Sequence, residues 1–101
     1  MIGYITLGTA DLEKAAAFYD ALLGTIGATR FMEEPDYFIA WSKDEDQAAL
    51  SVTKPFDQKP ATVGNGVMVA MYFETPEQVN AFYDKAIELG ATCEGQPGFR
   101  P

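Results

Sequence analysis

The sequence predicts an α+β chain built from two strand–helix units in tandem, and three observations carry that prediction. Ala17-Phe18-Tyr19-Asp20 recurs letter for letter as Ala81-Phe82-Tyr83-Asp84, 64 residues further along. Both copies run on into Gly-Ala-Thr, at Gly27-Ala28-Thr29 and Gly90-Ala91-Thr92. Each copy is also preceded by an apolar, β-prone run, Ile2 to Leu7 and Val67 to Phe73. Duplication of one structural unit is the simplest account of all three.

Ile2 to Leu7 reads as a strand with two usable faces, Ile5 and Leu7 on one and Ile2, Tyr4 and Thr6 on the other. Asp11 is placed to cap the helix that follows, accepting from free amide groups in its first turn. Leu12, Ala15, Ala16, Tyr19, Leu22, Leu23 and Ile26 recur at three- and four-residue steps, which predicts a helix over about 12–26. Gly27 supplies its left-handed stop. Three β-prone segments come next, Thr29 to Glu34, Tyr37 to Ser42 and Ala48 to Thr53. Pro35-Asp36 and the charged run from Lys43 to Gln47 separate them. The Asp44-Glu45-Asp46 cluster lacks the glycine and ligand spacing of a calcium loop and reads as a solvated hairpin tip.

Residues 1–53 thus form a first module, 54–66 a linker closed by Gly64-Asn65-Gly66, and 67–101 a second module. Val67 to Phe73 suits a strand buried on both faces. Thr75-Pro76-Glu77-Gln78 is a helix start with a threonine cap, a proline in the first turn and a glutamine able to complete a capping box. Val79, Phe82, Tyr83, Ala86 and Ile87 form the apolar stripe, and Gly90 ends the helix. After it Gly95, Pro97, Gly98 and Pro101 interrupt the chain. The second module therefore has room for one strand after its helix where the first has three, so its last two strands are expected to be missing.

Bulk properties exclude whole classes of function. A chain of 101 residues makes one small domain, and 48% apolar content is enough for a packed core. The net charge of −8, with the basic residues scattered, repels phosphate backbones and argues against nucleic-acid binding. No apolar run is long enough to span a bilayer and no signal peptide is visible, so a cytoplasmic protein without a membrane partner is expected. The lone Cys93 fits a reducing compartment and reads as a small packed side chain rather than a nucleophile. Histidine is absent, which removes Ser–His and Cys–His nucleophilic arrangements.

The strand leading into Asp11-Leu12, the Phe18-Tyr19 pair followed by Leu23 and Gly27, and the Gly64-Asn65-Gly66 entry to the second unit together resemble the glyoxalase / bleomycin-resistance / extradiol-dioxygenase superfamily, the vicinal oxygen chelate proteins. The resemblance covers the whole chain. It implies tandem βαβββ modules forming a curved mixed sheet around a cleft, and a homodimer. In the enzymes of that superfamily a divalent metal sits in the cleft, held by histidine, glutamate or glutamine from the first and last strands of each module, and acts as a Lewis acid.

Carried over by position, the first-strand ligands would fall on Tyr4 and Met68, which the repeat offset of 64 also relates to each other. Neither suits a hard divalent cation. The last strand of the first module offers Ser51 and Thr53 and no carboxylate, and the fourth position would fall in the missing strands. No metal site and no cofactor is expected. Tyr4, Thr6, Met68 and Tyr72 would instead line an apolar cleft with a few hydroxyls, suited to a flat organic molecule. Trp41 is a further candidate wall, with packing in the core as the weightier reading for it.

The expectation is a metal-free protein that binds a small apolar or aromatic molecule, with catalytic residues unassigned. The alternative is a divalent-metal-dependent lyase, isomerase or dioxygenase of the same superfamily, with ligands outside the visible chain. A degenerate module serving as an interaction partner is the third possibility.

Overall fold

In the computed structural model, which describes residues 1–99, the elements run β1 (Tyr4–Gly8), α1 (Leu12–Gly24), β2 (Thr29–Glu34), β3 (Phe38–Ser42), β4 (Ala49–Thr53) and α2 (Pro76–Glu88). Arg100 and Pro101, the latter counted above among the chain breakers, lie outside the described residues. The chain packs as two units, Met1–Asn65 and a second beginning at Gly66. The stretch read as a linker therefore goes mostly with the first unit, where Lys54 N–H donates to the Tyr37 carbonyl at 2.9 Å.

The first unit is a βαβββ module. Its sheet has the order β1-β4-β3-β2, with β1 and β4 parallel and the other pairs antiparallel. A parallel pair cannot be joined by a tight turn, and here α1, β2 and β3 supply the long path from β1 to β4. Asp11 caps α1 as its position predicts, its carboxylate accepting from Lys14 N–H at 3.0 Å. Gly27 leaves the helix at φ +83°, in the left-handed region where a side chain would be strained.

One face of the sheet packs on α1. Leu12, Ala16, Leu22 and Leu23 from the helix are buried, as are Ile39, Trp41 and Val52 from the strands. Trp41 is the anchor of this core at 1% exposure, its ring 5.6 Å from that of Tyr19. Its Nε1–H donates to Asp20 Oδ1 at 2.8 Å, and the Arg30 guanidinium lies 5.9 Å from its ring centre. Arg30 in turn donates to both Asp20 oxygens, Nε at 2.8 Å and Nη2 at 2.6 Å.

A bulge in β2 makes that cluster possible. Arg30 pairs with Trp41 and Met32 with Ala40, so Phe31 is an extra residue in the ladder. In a regular strand, residues three apart point to opposite faces; the inserted residue returns Glu33 to the face of Arg30, and the two form an ion pair at 3.3 Å.

The Arg30 hydrogen bonds, opposed in part by burial and aided by the Trp41 indole, hold the Asp20 carboxyl below the usual carboxylate range. A depressed folded-state pKa gives stability that is present above the unfolded value of about 3.9 and is lost as pH falls through the folded value. Acid unfolding followed by circular dichroism should therefore show a stability decline below about pH 4 that Asp20→Asn flattens. At neutral pH Asp20→Ala should destabilise by about 1–3 kcal/mol, because the Trp41 donor is left without its acceptor.

The second unit contains α2 and, among the described residues, no strand. Its helix start is as predicted. Thr75 Oγ1 accepts from Gln78 N–H, and the Gln78 side chain accepts from Thr75 N–H, closing a capping box. The repeat is visible in the geometry as well: α1 and α2 are both 13 residues long, and Gly90, like Gly27, has positive φ, at +104°. Phe73 packs against Phe82 with ring centres 5.0 Å apart.

Three expectations fail here, the first being the single strand after the helix, which is not found among the described residues. Val67 to Phe73 is not a strand. A strand exists only through pairing, and no described segment of this unit offers it a hydrogen-bonding edge. Cys93 is exposed rather than packed and accepts a hydrogen bond from the Tyr83 hydroxyl.

Candidate functional site

The face of the sheet away from α1 is the candidate site. Register puts Thr6, Ser51, Ala40 and Met32 in one row across the four strands, all on that face. Tyr4 and Ala49 belong to the row on one side, and Thr53 and Phe38 to the row on the other. Tyr4 and Thr6 are exposed, Tyr4 at 64%, while Ile5 and Leu7 turn toward the helix side. That division of β1 is the one its alternation predicts.

The floor of this face is made of small side chains. Ala40, Ala49 and Ser51 are all buried, Ser51 to 0% exposure. Around them stand larger groups: Tyr4 and Phe38 meet edge to face with ring centres 6.4 Å apart, and Met32 is exposed on the β2 side. Edge-to-face contact leaves part of each ring face free for a further flat group.

The polar atoms of the floor are satisfied internally. Ser51 Oγ donates to the Ile5 carbonyl at 2.8 Å and lies 2.9 Å from Thr6 Oγ1. Thr53 Oγ1 lies 3.1 Å from the Tyr37 carbonyl oxygen and 2.9 Å from that of Lys54, which share its single proton.

Trp41 does not belong to this site. It was a candidate wall, yet its strand parity puts it with Ile39 on the α1 side, where it fills the core. Met68 and Tyr72 lie in the second unit and are exposed, at 83% and 88%. Phe38 was missed. Its place opposite Trp41 in the alternation of β3 would have identified it, had the direction of Trp41 been known.

In the first unit, the side chains at the ligand positions that the fold resemblance implies do not suit a hard divalent metal. Tyr4 brings a phenol, and the Ser51 hydroxyl is buried and already committed to a carbonyl; Met68, in the second unit, brings only a thioether. Among the described residues no three His, Cys, Asp or Glu side chains come together as a metal-holding group. No described helix is long and apolar enough to cross a membrane.

The model of the Glyoxalase/Bleomycin resistance protein/Dioxygenase superfamily matches residues 1–101. A crystal structure of a glyoxalase/bleomycin resistance protein from Albidiferax ferrireducens is similar at 35% identity and TM-score 0.84, over 99% of this chain and 82% of that one. A glyoxalase/bleomycin resistance protein/dioxygenase from Nocardioides shares the fold at 24% identity and TM-score 0.68, over 100% of this chain and 69% of that one. The lactoylglutathione lyase from Agrobacterium tumefaciens shares it at 18% identity and TM-score 0.64, over 94% and 74%. No curated protein matches the sequence. The chain belongs to the glyoxalase/bleomycin resistance/dioxygenase superfamily.

Proposed function

We propose that the protein binds a small, flat, apolar or aromatic molecule on the open sheet face of its first unit, without a metal. Tyr4 and Phe38 stack on the ligand and Thr6 supplies a polar contact. The observation that carries this reading is the exposed Tyr4 ring meeting Phe38 on the face that carries the buried Ala49 and Ser51. Apolar and aromatic side chains beside a few placed polar groups are the common lining of a small-molecule site. Met68 and Tyr72, exposed in the second unit, are proposed as ligand-binding side chains of that unit in their own right. We further take the protein to act as a cytoplasmic homodimer; the single cysteine and the acidic charge support a reducing, soluble setting.

Equilibrium dialysis against a panel of bicyclic aromatics, indole and quinoline among them, tests the reading. Saturable binding at one site per chain is expected, weakened by soluble competitors of the same shape. Absence of saturation with every compound, in protein shown by its melting curve to be folded, would overturn it.

A further inference from the structure

Thr6 and Ser51 form a hydrogen-bond chain with one possible direction. Ser51 has one hydroxyl proton, and it points to the Ile5 carbonyl, which can only accept. The contact between Thr6 Oγ1 and Ser51 Oγ can then be a hydrogen bond only if Thr6 is the donor. The Thr6 proton is thus turned toward Ser51, and what the hydroxyl of this exposed residue has left for a ligand is lone pairs.

Resting on the binding role proposed above, we infer that Thr6 selects ligands that donate a hydrogen bond, and that Ser51 is the positioning residue that makes it do so. The ligand class is an aromatic carrying an N–H or O–H at its edge, with its ring against Tyr4 and Phe38. An acceptor-only aromatic would set its own lone pair against those of Thr6. Ser51 is fully buried and touches no ligand; its effect passes through the orientation of one proton. Reversal is unfavourable, because turning the Thr6 proton outward breaks its bond to Ser51 and gives Ser51 Oγ no replacement donor.

Isothermal titration with indole, which donates and does not accept through nitrogen, and quinoline, which accepts and does not donate, separates the possibilities. Wild-type protein is expected to bind indole about fivefold more tightly than quinoline, the scale of one net hydrogen bond. Ser51→Ala frees the Thr6 proton, so quinoline should tighten by about threefold or more while indole holds, a gain that impaired folding cannot imitate. Thr6→Val should bring the two affinities together by weakening indole. Equal or better binding of quinoline by the wild type, or a Ser51→Ala ratio identical to wild type, would overturn the inference while leaving aromatic binding intact. Failure of both probes to bind folded wild-type protein would instead remove the binding role, and the inference with it.

Discussion

Trp41→Ala is expected to cost about 3–5 kcal/mol of folding stability, the range for emptying a large aromatic site in a packed core. Total stability of a small domain is of the order of 5–15 kcal/mol, so the variant should melt far below wild type or fail to fold. The indole is 1% exposed, rests on Tyr19, lies beside the Arg30 guanidinium and donates to Asp20. Alanine removes the buried ring and its three interactions and leaves Asp20 and Arg30 without their apolar cover. Trp41→Phe keeps an aromatic ring for Tyr19 and gives up the indole donor, so a smaller loss of about 1–2 kcal/mol is expected. Thermal or denaturant unfolding measures both. A Trp41→Ala variant as stable as wild type would mean that this side chain does not anchor the core.

Tyr4→Ala is expected to weaken binding of indole by about thirtyfold or more, the effect of truncating a central aromatic anchor. Stability should hardly change, because Tyr4 is 64% exposed and its ring contact within the unit is the edge-to-face meeting with Phe38. Tyr4→Phe retains the ring and should bind within about threefold of wild type, since the phenol oxygen is not the contact assigned to the ligand. Calorimetric titration of the two variants, with melting curves as the control, reads this directly. Unaltered binding by Tyr4→Ala would place the ligand elsewhere on the molecule.

Much of the fold is legible in the chain because local signals agree with one another. Asp11, the three- and four-residue spacing from Leu12 onward, and Gly27 at positive φ all define one helix, and Thr75, Pro76 and Gln78 define the start of another. The two faces of β1 are legible too, since Ile5 and Leu7 alternate with Tyr4 and Thr6. β3 is different. Phe38, Ile39, Ala40 and Trp41 are all apolar, so period-two alternation carries no information about which side meets the helix. The choice is made by Asp20 and Arg30, distant in sequence, which meet the indole edge on the α1 side.

Val67 to Phe73 shows the other kind of blind spot. Its composition favours a strand, but propensity acts through a neighbour, and the described part of the second unit provides none. The Thr6–Ser51 contact is equally invisible in the sequence. It joins residues 45 positions apart, and only the parallel register of β1 and β4 brings them opposite each other.

Removing divalent metal from the protein before titration is the most direct test of metal-free aromatic binding. Protein dialysed exhaustively against EDTA and titrated with indole should give the same dissociation constant and stoichiometry as untreated protein, with added zinc, manganese or magnesium leaving both unchanged. Loss of binding after EDTA treatment, restored by one equivalent of a divalent cation, would contradict it.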